Sequence, residues 1–209
     1  MTQPKPLIML GAGGHAKVLL ALARAAGYTV SAVVAPEFAG MPCSLWQGVP
    51  VLGDESALAT LEPQSVGLIN GLGQMPRSAL RRQVYQRFTC QGYVFPALVH
   101  PHAWVAPDVI LDQGVQIMAG AVLQPACRIG ENSVVNTGAQ VDHDCVVGRD
   151  VHIAPGAVVC GGVVIGDNVF VGAGAVVIQS ITIGDDTVIG AGSLIRQNVQ
   201  PSCELSKRR

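Results

Sequence analysis

From Val99 onward a large aliphatic residue recurs at every sixth position without a slip: Val99, Val105, Leu111, Ile117, Leu123, Ile129, Val135, Val141, Val147, Ile153, Val159, Ile165, Val171, Val177, Ile183, Ile189 and Ile195. Four residues after each stands a small or β-branched one, among them Ala121, Cys127, Ser133, Ala139, Cys145, Ala157 and Ala175. A period of six is neither the 3.6 of a helix nor the 2 of a strand. It suits a chain that turns a corner after each short strand and points one aliphatic side chain inward per face. Three faces make a coil of eighteen residues, and stacked coils hydrogen-bond at a spacing of ~4.8 Å around a continuous aliphatic core. Gly120, Asn132, Gly138, Gly156, Asn168, Gly174 and Gly192 fall where corners need unusual backbone angles. A valine-rich sandwich would instead need turn signals every ~8–12 residues.

The chain before about Tyr93 follows another pattern. Leu7–Leu10 is a short apolar run that enters Gly11-Ala-Gly13-Gly14-His15, after which Val18, Leu19, Leu22 and Ala26 recur at helical spacing and Gly27 supplies a stop. Val30–Val34, Val49–Leu52 and Val66–Ile69 read as further strands, and Ser78–Phe88 as a basic amphipathic helix. Such alternation predicts an α/β N-terminal domain with a small parallel sheet. The expected organisation is a Rossmann-like domain over residues 1–95, a parallel β-helix over 96–200 and a basic tail over 201–209.

Charge marks the same boundary. Only Arg128, Arg149 and Arg196 fall between Ala97 and Gln200, whereas Arg77, Arg81, Arg82 and Arg87 cluster just before. Of 209 residues 49% are apolar and 13% charged, with a net charge of −1, which excludes a disordered chain and argues against nucleic acid as a partner. No apolar stretch approaches the roughly 20 residues of a membrane span, and the four apolar residues after Pro6 are too few for a secretory signal. The six cysteines, Cys43, Cys90, Cys127, Cys145, Cys160 and Cys203, show no metal-ligand or disulfide spacing. They read as reduced thiols of a cytoplasmic protein, with no metal site.

Transfer of an acyl group from a thioester needs a base for the nucleophile and donors for the tetrahedral oxyanion. Among five histidines, His143 is third in the hexad from Val141, at an outward corner between Asp142 and Asp144. A carboxylate on one imidazole nitrogen fixes the tautomer and raises basicity. Gly161 follows by eighteen residues and therefore occupies the same corner one coil on.

The uninterrupted hexads resemble the left-handed parallel β-helix of the hexapeptide-repeat acyltransferases, and the left hand is implied by that resemblance alone. Leu10-Gly-Ala-Gly-Gly-His-Ala-Lys17, with Asn136-Thr-Gly-Ala-Gln-Val-Asp-His-Asp-Cys145, is similar to one branch, the bacterial sialic acid O-acetyltransferases and nucleotide-amino-sugar N-acetyltransferases. The resemblance implies acetyl-CoA as co-substrate, a nucleotide-linked amino sugar as acceptor and a homotrimer with active sites between coils. It implies His143 as catalytic base with Asp144 as helper, Gly161 as amide donor to the thioester carbonyl, His152 against the carrier, and Ala173 and Ala191 along the pantetheine arm. Asp142 stays open as a rival orienter of His143.

Two readings of the glycine turn stand side by side. As a dinucleotide fingerprint it would use Glu37 on a ribose, but the domain is short for a doubly wound sheet. In the resembled family Gly11, Gly13, Gly14 and His15 hold a sugar nucleotide, and helix N-terminal amides suit a diphosphate. Two departures count: Ala35-Pro36-Glu37 replaces the acidic end of the second strand, and the closing Gly-x-Pro-Ala-Lys segment is missing. Lys207, Arg208 and Arg209 read as a disordered basic tail, with a grip on the carrier's 3′-phosphate as the alternative.

The expected reaction is direct N-acetylation, with neither Cys145 nor Cys160 as nucleophile. O-acetylation of a sialic acid is the alternative within the class. Outside it stand a zinc-dependent β-helix hydratase and a non-catalytic sugar-nucleotide-binding scaffold.

Overall fold

The computed structural model describes residues 5–40 and 44–205, which leaves Cys43 and the Lys207–Arg209 tail outside the described residues. The chain forms two compact units, one of residues 1–74 and 78–96 and one of 75–77 and 97–209.

In the first unit, strand β1 (Leu7–Leu10) runs into helix α1 (Gly14–Ala25), followed by β2 (Val30–Val34), β3 (Leu45–Trp46), β4 (Val49–Gly53), β5 (Gly67–Asn70) and helix α2 (Leu80–Cys90). The sheet order is β3-β4-β2-β1-β5. All four residues of β1 are buried because it is flanked by β2 and β5 and covered on both sides. Ile8, Leu10, Ala32, Val34 and Leu68 pack with Val84, Tyr85 and Phe88 of α2. Gly27, at φ 79°, ends the first helix as its sequence predicts.

One expectation for this unit needs correction. The sheet is mixed, because β3 pairs antiparallel with β4 through the turn Gln47-Gly48, whose φ values of 50° and 76° are those of a tight hairpin. Within the basic helix α2 Arg81 is buried, and its guanidinium donates to Asn70 O and Leu72 O at 2.8 Å. Those bonds hold the loop after β5.

The second unit is the expected parallel β-helix. Two-residue strands pair in parallel with those eighteen residues on, as in Val122 with Gln140 and Gln140 with Val158. The first face stacks Leu98–Val99, Gln116–Ile117, Val134–Val135, His152–Ile153, Phe170–Val171, Val188–Ile189 and Glu204–Leu205. The second runs from Trp104–Val105 through Gln140–Val141 to Leu194–Ile195, and the third from Ile110–Leu111 through Val146–Val147 to Thr182–Ile183. The inward ladder is the hexad ladder: Ile117, Leu123, Ile129, Val141, Ile153, Val159, Val171 and Val177 form one core with Ala121, Cys127, Ala139, Cys145 and Ala157. Coiling also runs past the expected end at residue 200, since Glu204 and Leu205 pair with Val188 and Ile189. Residues 201–205 are therefore a further rung rather than a tail.

Candidate active site

The corner between the second and third faces carries the sequence-predicted base. His143 lies in the turn from Gln140–Val141 to Val146–Val147, its side chain 61% exposed. Asp144 adopts the left-handed conformation at φ 59°, which Asp tolerates better than most residues. That turn brings its Oδ2 to 2.7 Å from His143 Nδ1. Asp142, the rival orienter, is engaged differently: its Oδ1 accepts the His143 backbone N–H at 2.8 Å. The Asp144 bond to Nδ1 and the charge of Asp142 hold the imidazole above the ordinary histidine range. With Nδ1 engaged, Nε2 is the nitrogen left to meet a proton on a ligand.

Gly161 stands one coil on from His143, as the eighteen-residue arithmetic requires. Its α-carbon is so close to the ring that an added Cβ would lie 2.7 Å from His143 Cε1 and Nε2. The coils are tied at this corner by Gly162 N–H donating to His143 O at 2.8 Å and Ser180 N–H donating to Gly161 O at 3.0 Å. No acceptor among the described residues takes the Gly161 N–H.

The remaining predicted carrier contacts lie elsewhere around this chain's prism. His152 is on the first face, 7% exposed, its ring parallel to that of Phe170 with centroids 5.0 Å apart. Ala173 and Ala191 stack on each other at the corner between the first and second faces, joined through Gly192 N–H to Ala173 O at 2.8 Å. The chain therefore unites His143, Asp144 and Gly161, and it unites Ala173 with Ala191, but it does not bring these groups or His152 to one place. Phe170 was not singled out by the sequence, and an aromatic residue eighteen after His152 was the available signal.

Cys145 is fully buried. The neighbouring Cys127 thiol, then burial, push the Cys145 thiol well above the ordinary cysteine range. A nucleophilic role there is disfavoured on both counts. Among the described residues no group of three or more His, Cys, Asp or Glu is arranged to hold a metal ion, and no helix is long and apolar enough to cross a membrane.

In the first unit, Gly11 at φ 87° closes β1 with its N–H on Val34 O at 2.8 Å. Gly13 caps α1 and Gly14 and His15 open it, so the glycine turn forms the N-terminus of that helix. A Cβ at Gly13 or Gly14 would meet nothing in the chain, so internal packing does not explain glycine at either position.

Comparison with known proteins agrees with this architecture. Residues 126–161 and 162–197 match the bacterial transferase hexapeptide model, and residues 6–88 match the PglD N-terminal domain. A search of curated proteins found no match. Perosamine N-acetyltransferase from Caulobacter crescentus, solved as a histidine-to-asparagine variant with CoA and GDP-perosamine, is 36% identical, with a TM-score of 0.86 over 95% of this chain and 92% of that one. The acetyltransferase domain of PglB from Neisseria gonorrhoeae FA1090, solved with acetyl coenzyme A, is 34% identical, with a TM-score of 0.86 over 96% and 95%. WeeI from Acinetobacter baumannii AYE shares the fold at 21% identity and a TM-score of 0.82 over 96% and 95%. With both parts matched by family models and relatives above 30% identity spanning nearly its full length, this chain belongs to the hexapeptide-repeat sugar acetyltransferases.

Proposed function

We propose that the protein acetylates the amino group of a nucleotide-linked amino sugar by direct transfer from acetyl-CoA, with His143 as general base. The observation that carries this reading is the His143 imidazole held by Asp144 at 2.7 Å and lying against the bare α-carbon of Gly161. A base and an open main-chain donor there share one small volume. The substrate nitrogen attacks the thioester carbonyl carbon and loses its proton to Nε2 of His143. The carbonyl oxygen, now negative, takes the Gly161 N–H. Collapse re-forms the carbonyl and breaks the C–S bond, and the CoA sulfur leaves as thiolate to take up a proton. No acyl-enzyme is formed, which fits the buried, protonated Cys145.

Two relatives support the substrate classes. The Caulobacter enzyme was solved with GDP-perosamine and CoA, and the Neisseria domain with acetyl coenzyme A. In the first unit the glycines at 13 and 14, unexplained by packing, fit a diphosphate against the α1 amides. Thiols at Cys90, Cys127, Cys145, Cys160 and Cys203 suit a cytoplasmic enzyme.

His152, Ala173 and Ala191 can serve the same carrier as His143 only if a neighbouring chain supplies them, which favours a homotrimer with sites between subunits. The faces flanking the His143 corner carry exposed Trp104, Ile110, Val146, Val164 and Leu194, the kind of surface that association covers. Light scattering is expected to give three copies, and a monomer at micromolar concentration contradicts this. The reaction itself is tested by thiol release from acetyl-CoA with UDP-, GDP- and CMP-linked amino sugars and with free sialic acid. Turnover of a nucleotide-linked amino sugar is expected, whereas turnover of sialic acid alone overturns the reading in favour of O-acetylation.

A further inference from the structure

The two turns that carry His143 and Gly161 each accept a hydrogen bond from a thiol of the coil below. At the corner between the first and second faces each turn bonds to itself, with Ala139 N–H donating to Asn136 O at 3.0 Å and Ala157 N–H to Ala154 O at 3.2 Å. At the His143 corner Val109 N–H donates to Ala106 O at 3.1 Å, but among the described residues no such bond joins Cys127 to Gln124, Cys145 to Asp142, Val163 to Cys160 or Ile181 to Ile178. In the turns ending at Cys145 and Val163 a thiol from the coil below takes the free carbonyl. Cys127 Sγ donates to Asp142 O at 2.9 Å, and Cys145 Sγ donates to Cys160 O at 3.2 Å.

The placement is selective. The inward residues of this corner are Val109, Cys127, Cys145, Val163 and Ile181, so donors stand only beneath the carbonyls that precede His143 and Gly161. A hydroxyl can make the same bridge: Ser133 Oγ, at the corner between the third and first faces, donates to Gly148 O and accepts from Val151 N–H, both at 2.9 Å.

The consequence lies in the peptide plane. Cys160 O and Gly161 N–H belong to one rigid amide and point in opposite directions. With the oxygen drawn toward the buried Cys145 thiol, the N–H points away from that thiol, at the corner where the His143 ring lies against the Gly161 α-carbon. We propose that Cys145 is a positioning residue whose thiol, bonded to Cys160 O, aims the Gly161 amide at the oxyanion of the acetyl-transfer intermediate. The proposal rests on the reading of Gly161 as that donor.

The test uses the full-length enzyme with Cys145→Ala, Cys145→Val and Cys145→Ser. An amide free to rotate loses part of a contribution worth about 10²–10³ in rate, so kcat is expected to fall by about tenfold in Cys145→Ala and Cys145→Val. KM values and the acidic limb of the pH profile stay in place, because the base is untouched. Cys145→Ser, which restores a donor, is expected within about threefold of wild type. A second readout is the infrared carbonyl stretch of bound 13C-labelled acetyl-CoA, lowered relative to free in wild type and Cys145→Ser and less so in the other two. Full kcat in Cys145→Ala, or a Cys145→Ser enzyme as slow as Cys145→Ala, overturns the proposal. So does a loss confined to KM and Tm. Should His143→Ala retain turnover while the carbonyl shift still follows Cys145, the base assignment fails and the positioning role stands.

Discussion

Replacing Gly161 with alanine puts a methyl where the imidazole now lies. The added carbon would sit 2.7 Å from Cε1 and Nε2 of His143, against the 3.4 Å at which ordinary contact begins, so the ring must retreat by about 0.7 Å, the difference of the two. Gly161 is not among the positive-φ glycines, so its backbone accepts alanine without strain. The ring is also the end of an exposed side chain and can move cheaply, which leaves Tm nearly unchanged. Catalysis is less forgiving, since a misplacement of about 1 Å costs on the order of 10²-fold. Retreat also stretches the 2.7 Å bond to Asp144 that holds the imidazole basic. Gly161→Ala is therefore expected to lower kcat about a hundredfold and to move the acidic limb of its pH profile downward, toward ordinary histidine. Steady-state thiol release across pH, with Tm as control, measures both. A variant that keeps its kcat within a few-fold and its pH profile unshifted refutes the account of this corner.

Asp144→Asn removes the first cause of the raised His143 basicity. Its acidic limb should lie at lower pH than in wild type, with a smaller maximal rate because the tautomer is no longer fixed; an unmoved limb contradicts the assignment. Gly13→Ala meets no atom of the chain, so it should leave Tm unchanged while raising KM for the nucleotide sugar and leaving acetyl-CoA affinity intact. Equal KM values would remove the glycine turn from the binding site.

The β-helix was legible because its core has one rule: every sixth residue is inward, and no insertion shifts the register from Val99 to Ile195. The vertical pairing of His143 with Gly161 followed from the same arithmetic. What escaped were features set by contacts rather than periodicity. Strand β3 is two residues long, and its turn is Gln-Gly rather than the Asn-Gly that announces a hairpin. Arg81 lies on a helix face that looks solvated, and only the carbonyls of Asn70 and Leu72 make its burial tolerable. Cys127 and Cys145 fit the small inward positions, but the pattern cannot say that their thiols close turns. His152 sits in an outward strand position, yet the fold buries it against Phe170.

The central claim is that the His143 imidazole takes the proton of the attacking amine. The most direct measurement is the single-turnover rate of His143→Ala with acetyl-CoA and a nucleotide-linked amino sugar, with the acetyl-CoA Kd determined by calorimetry on the same preparation. The account predicts a loss of about 10²–10⁴ in rate at unchanged Kd. Turnover near that of the unsubstituted enzyme would contradict it.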